Sequence, residues 1–124
     1  MVAINFTVFI DKILSRRKKQ TIRKTNRFEP GDRLQIYTGM RTKECRKLGE
    51  ATCTDVTPIT LDGNHIILGP DDDYTILSPP NREEFARADG FEDFAAMRRF
   101  FENTYGYPFR GYLIKWTEFV ECKT

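Results

Sequence analysis

Between Arg16 and Arg27 the chain carries seven lysine or arginine residues, with Gln20, Thr21 and Ile22 set among them. Cations broken by β-branched residues read as a folded basic strand, not as a solvated charge block. The chemistry such a strand offers is recognition of an anion, with RNA or a nucleotide as the fitting partner. Arg23 is a forked donor for a phosphate or a base edge. Lys18 is crowded in sequence by Arg16, Arg17, Lys19 and Arg23, which should weaken its hold on a proton and turn it toward a base. A second basic segment, Arg41 to Lys47, faces the first across a predicted cleft. There Arg17, Lys18, Arg23, Arg41, Lys43 and Arg46 would contact phosphates, with Tyr37 or Phe91 stacking on a base.

The remaining reactive side chains point elsewhere. His65, the single histidine, borders a predicted hairpin and reads as a surface or core residue. Asp71, Asp72 and Asp73 are consecutive, so in a loop they diverge and lack calcium-loop spacing. Cys45, Cys53 and Cys122 are an odd set without a C-x-x-C pair, read as reduced thiols and not as a zinc site. No metal and no cofactor is expected. Charge divides along the chain: residues 1–50 hold 13 basic against 5 acidic residues (+8), and residues 51–124 hold 7 against 13 (−6). The basic part calls for an anionic partner. No apolar run is long enough to span a bilayer and MVAINFTVF lacks signal-peptide character, so a cytoplasmic protein without membrane attachment is expected.

These residues need elements to hold them. A short strand is predicted at Val2–Phe6, then a helix capped by Thr7 and running to about Arg16, with Phe6, Phe9, Ile10, Ile13 and Leu14 on one face. An extended segment over 18–24 follows, in which residues three apart face opposite sides, so Lys18 and Thr21 meet only if the chain bends or bulges. Glu29-Pro30-Gly31-Asp32 predicts a turn and Arg33–Thr38 a strand ended by Gly39. A strand through Ala51, Cys53 and Val56, a hairpin turning at Asp62-Gly63-Asn64 and a short strand at 74–77 come next. Asn81 with Glu84 marks a helix start, Asp89-Gly90 its stop. Phe94, Met97, Phe101 and Tyr105 trace a core stripe on a further helix, and Tyr112, Ile114 and Trp116 form one apolar face of a last strand. At 124 residues this is one domain, a small curved sheet or partly closed barrel with helices at its openings.

The stretches ILSRRKKQTIRK, RFEPGDRLQIYTGMRTKECRKLGEA, FARADGFEDFAAMRRFF and GYLIKW, in that order, resemble the ASCH domain of the PUA-like superfamily, especially the small versions often carried by bacteriophages. The resemblance covers nearly the whole chain. It implies an α+β fold, a PUA-like β-barrel of about five to seven strands flanked by two or three helices, and an RNA- or nucleoside-binding role. One bacterial branch is an amidohydrolase that deacylates acetylcytidine and related nucleosides. Carried over, its roles fall on Lys18 as base, Thr21 as nucleophile and Asp89 as acid, the last an aspartate where the family has glutamate. Ribonuclease activity is also attached to the family, and a phage-borne member could instead bind a host protein.

Overall fold

The computed structural model describes residues 2–122. Along them run β1 (Val2–Phe6), α1 (Ile10–Leu14), β2 (Gln20–Arg23), β3 (Arg33–Thr38), β4 (Arg46–Leu61), β5 (Ile66–Leu68), β6 (Thr75–Ile76), α2 (Pro79–Ala88), α3 (Phe94–Thr104) and β7 (Phe109–Glu121). The strands make one mixed sheet curled into a half-barrel, with the three helices packed around it. This is the α+β small barrel expected.

The 16-residue β4 is the spine. Its first half pairs with β3, its last three residues with β5, and β7 follows it from Gly49 to Leu61. Register shifts at Glu50/Thr52 and Cys53/Asp55 against β7, and at Ile36/Tyr37 within β3, add local twist and curl the sheet. β1 lies parallel to β3, and β2 pairs only with β7. The curl therefore ends in β1 on one side and β2 on the other. Side chains, not a ladder, bridge this seam: Arg23 Nη2 donates to the Asn5 carbonyl at 2.7 Å and Arg27 to the Ala3 carbonyl.

Burial falls on both faces of the sheet. Ile4, Phe6, Leu34, Ile36, Ile114 and Trp116 pack with Ile13 of α1, while Ile22, Ile59, Leu61 and Leu113 pack under Phe85, Phe94, Met97 and Phe101 of α2 and α3. Ile114 and Leu113 thus serve opposite cores; on the face of β7 read as mixed, Leu113 is buried under the helices while Lys115 and Thr117 are exposed. Tyr105 departs from its predicted core stripe: it follows α3 and is 48% exposed.

Local signals were overridden at two helix starts. Thr7 does not cap α1. The helix begins only at Ile10, after Phe9 in a left-handed conformation (φ 63°), and Arg16 (φ 67°) turns the chain again beyond it. The Phe9 ring packs edge-on against Phe91 at 4.9 Å, and that contact offsets a backbone strain of order 1–3 kcal/mol. α2 starts not at Asn81 but after Ser78, with Pro79 and Pro80 in its first turn, where a missing N–H leaves no bond unmade. It stops as expected, at Asp89 followed by Gly90 in positive φ. Asp93 caps α3, accepting from Ala96 N at 2.8 Å.

Gly111 ties the sheet to the seam, because a Cβ there would sit 2.4 Å from the Arg23 carbonyl oxygen. Gly111→Ala should force the end of β2 away from β7 and lower the unfolding free energy by about 1–3 kcal/mol. Urea denaturation checks this, and an unchanged midpoint would contradict the close approach.

Candidate functional site

Among the described residues the buried polar or charged side chains are Lys18, Gln20, Thr21 and Asp89. They come from two places brought together by the fold. Lys18, Gln20 and Thr21 enter or lie on β2, and Asp89 closes α2. Lys19 N donates to the Ala88 carbonyl, holding the two segments side by side.

Lys18 precedes β2 and follows the left-handed turn at Arg16, its own N–H donating to the Lys12 carbonyl at 3.0 Å. Lys18 thus lies outside β2, which begins at Gln20, and it shares a cavity with Thr21. Lys18 Nζ donates to the Asp89 carbonyl oxygen and lies 3.7 Å from Asp89 Oδ1. The rings of Phe6 and Phe9 flank the ammonium at 5.7 and 5.5 Å. Gly90 permits this packing: its φ is 107°, and a Cβ would meet the Phe9 ring at 2.9 Å and Lys18 Cδ at 3.3 Å. The dipeptide Asp89-Gly90 supplies a carboxyl, a carbonyl and an opening for the lysine stem.

A cavity of about 220 Å³ opens at the seam, where Lys18, Thr21, Arg23 and Asp89 share its lining with Asn5 and a set of aromatic rings. Phe91 stands at its wall, tilted 5.5 Å from Phe100, and Tyr105 stacks on Phe101 at 5.6 Å near the exposed rim. Pockets for drug-sized molecules run about 300–1,000 Å³. This one suits a single polar ring and a substituent.

The electrostatics follow from burial. Desolvation lowers the Lys18 pKa, Asp89 opposes it, and Arg23 and Lys12 add to the lowering. Sequence crowding is thus a lesser cause: Arg16, Arg17 and Lys19 are exposed, and of the neighbours invoked only Arg23 acts. Burial pushes the Asp89 carboxyl up to about 6 against the pull of Lys18, Gln20 and Arg23. Asp89 Oδ1, Gln20 Nε2 and Arg23 Nε are buried without hydrogen-bond partners. Lys18 and Thr21 both line the cavity without a hydrogen bond to each other.

Not every predicted residue reaches this cavity. Arg23 does; its guanidinium lies 4.8 Å from the Phe6 ring. Arg41 lines a neighbouring groove of about 370 Å³ with Asn5, Arg23, Thr25 and Arg27. Arg17, Lys43 and Arg46 are exposed and line neither space. Nor does Tyr37, whose hydroxyl lies 3.4 Å from Gln35 Oε1. The predicted cleft narrows to residues 23–28 facing 40–41. His65 is held in its hairpin by Asp62, whose Oδ1 accepts from His65 N at 2.7 Å. No cluster of metal-ligating side chains occurs among the described residues. Gln20 and Asn5 were not singled out by the sequence; Gln20 sits within the basic run, but nothing local marks it as facing Asp89. Compared with protein-family models, curated proteins and solved structures, the chain matches none.

Asp89 makes stability depend on pH. Its folded pKa of about 6 lies above the ordinary carboxyl value of 3.8, so the folded state binds the extra proton and this group's contribution declines as pH rises from about 4 to 6. Relative to wild type, Asp89→Asn should gain about 2–3 kcal/mol of unfolding free energy between pH 4 and pH 7. Denaturant titrations at both pH values read the difference, and parallel pH dependences would contradict a buried, proton-hungry carboxyl.

Proposed function

We propose that the seam cavity is the site of an ASCH-type domain that binds a pyrimidine nucleoside and removes an acyl group from its exocyclic nitrogen. The observation that carries this reading is the gathering of Lys18, Thr21 and Asp89, all buried, at one aromatic-walled cavity, with buried Gln20 beside Asp89. Burying such groups costs stability unless they are paired and hydrogen-bonded, and titratable groups perturbed by burial in a cleft mark a candidate functional site. The resemblance assigns the first three the roles of base, nucleophile and acid, and the physical chemistry suits those roles.

A lysine whose pKa burial lowers gives up its proton more readily and can act as a base, and a carboxyl raised to about 6 holds a proton longer than an ordinary one. In the reactive form the pair carries one proton, on Asp89. Lys18 Nζ takes the Thr21 hydroxyl proton as Oγ bonds to the acyl carbon. The C–N bond then breaks as Asp89 protonates the departing nitrogen, leaving an acyl ester on Thr21. The proton on Lys18 returns to the Asp89 carboxylate 3.7 Å away, restoring the pair. Water, activated by Lys18, cleaves the ester to a carboxylic acid and free threonine. Arg23, which lines the cavity and whose Nε is unpartnered, is the donor available to polar atoms of the ligand.

Binding without turnover is the second reading, favoured by the bond that ties Lys18 Nζ to the Asp89 carbonyl. In that case the same cavity holds a base of an RNA strand or nucleotide and the threonine is a wall.

Chromatography of acetylcytidine incubated with the full chain separates the two. We expect cytidine and acetate, with kcat/KM falling at least about 100-fold in Lys18→Met, Thr21→Val and Asp89→Asn. The wild-type profile should be bell-shaped, declining below about pH 6 as the pair takes a second proton and again above the lowered lysine value. Cytidine binding with no product over the whole range would leave the binding reading in place.

A further inference from the structure

We infer that the groove beside the cavity is a phosphate subsite, so that the ligand is a nucleotide and not a free nucleoside; this rests on the nucleoside reading of the cavity. The two spaces share a wall made of Asn5 and Arg23. A ring seated among Phe9, Phe91 and Thr21 would direct its sugar toward that wall, and a phosphate on the sugar would pass into the groove.

The groove has the chemistry of an anion site. Arg23, Arg27 and Arg41 line it together with the Thr25 hydroxyl, and no carboxylate does. None of the three arginines forms an ion pair among the described residues. Lys47 and Arg33 pair with Glu50 and Arg110 lies near Asp71, whereas Arg17, Lys43 and Arg46 also lack ion pairs among the described residues; what sets Arg23, Arg27 and Arg41 apart is that they converge on one groove.

Two of the guanidinium groups are also fixed in advance. Arg23 and Arg27 each donate one N–H to β1, at Asn5 and Ala3, which orients the rest of the fork before any ligand arrives. Arg23 Nε, buried and unpartnered, remains to be satisfied. Asn5 is itself held, its Oδ1 accepting from Met40 N at 3.0 Å, so the wall and the Arg41 turn move as one piece. Planar forks around a pocket free of acids match a phosphate's oxygens better than they match a neutral sugar.

Titration calorimetry on the full chain, with cytidine, its 5′- and 3′-monophosphates, ribose 5-phosphate and a short pyrimidine RNA, tests this directly. One monophosphate should bind about tenfold or more tighter than cytidine at low salt, the worth of one charge-assisted hydrogen bond. That advantage should shrink with salt and collapse toward one in Arg27→Gln/Arg41→Asn, whose side chains keep a donor for Ala3 and tolerate the positive φ of 68° at Arg41. RNA binding tighter than either mononucleotide would place the phosphate on a strand; equal binding would assign a free nucleotide. Cytidine bound as tightly as both monophosphates, or an advantage indifferent to the double variant, overturns the subsite while the nucleoside reading stands. Ribose 5-phosphate binding as tightly as the nucleotide keeps the groove and overturns the nucleoside reading instead.

Discussion

An ammonium group held out of water is the constraint on which the site depends. Lys18 is 3% exposed, and its charge is balanced by one buried carboxyl, one backbone carbonyl and two aromatic faces. Each partner demands a particular piece of fold. Asp89 must end α2, Gly90 must follow it without a side chain, Phe9 must accept a left-handed backbone, and Arg16 must turn the chain so that β2 starts after the lysine. A buried pair of this kind adds little or nothing to net stability, since desolvation offsets the attraction. Its retention is understandable as a functional expense.

The half-barrel makes room for that arrangement by remaining unclosed. Had β1 paired with β2, the ladder would have occupied the space now filled by the cavity. Two arginine bridges hold the strands near each other instead, satisfying the Ala3 and Asn5 carbonyls while leaving a polar opening. Both cores lie close behind it: Phe6 belongs to one and Phe91 to the other, and both line the cavity. The site is set on rigid packing from two sides, which favours a fixed geometry over a mobile loop.

Much of this was legible in the sequence, for physical reasons that differ by element. The limits of β3 follow from an alternating run between the Glu29–Asp32 turn and Gly39, β1 from its short apolar run, and the 62–65 turn from the Asx chemistry of Asp62. The stop at Asp89-Gly90 followed from glycine's freedom at positive φ. Caps were misread at Thr7, where the Phe9–Phe91 packing outweighed it, and at Asn81, where prolines able to occupy the first turn set an earlier start. Tyr105 shared the spacing of a core stripe but lies beyond the helix that would have buried it. At the site, Lys18, Thr21 and Asp89 were singled out by a resemblance, and composition alone does not distinguish Lys18 from Lys19 one position later. Burial makes that distinction, and burial is set by the Ala88 and Lys12 carbonyls that receive this segment's backbone. The basic total of the first half misled in the opposite sense: Arg17, Lys43 and Arg46 contribute charge but reach neither space.

The central claim is that a nucleobase sits in the seam beside Lys18, and backbone amide chemical shifts during a cytidine titration test it most directly. The account predicts saturable shifts at Lys18, Thr21, Asp89 and Phe91 with little change near His65 on the β4–β5 hairpin. Shifts confined to Lys43 and Arg46, or none at millimolar cytidine, would contradict it.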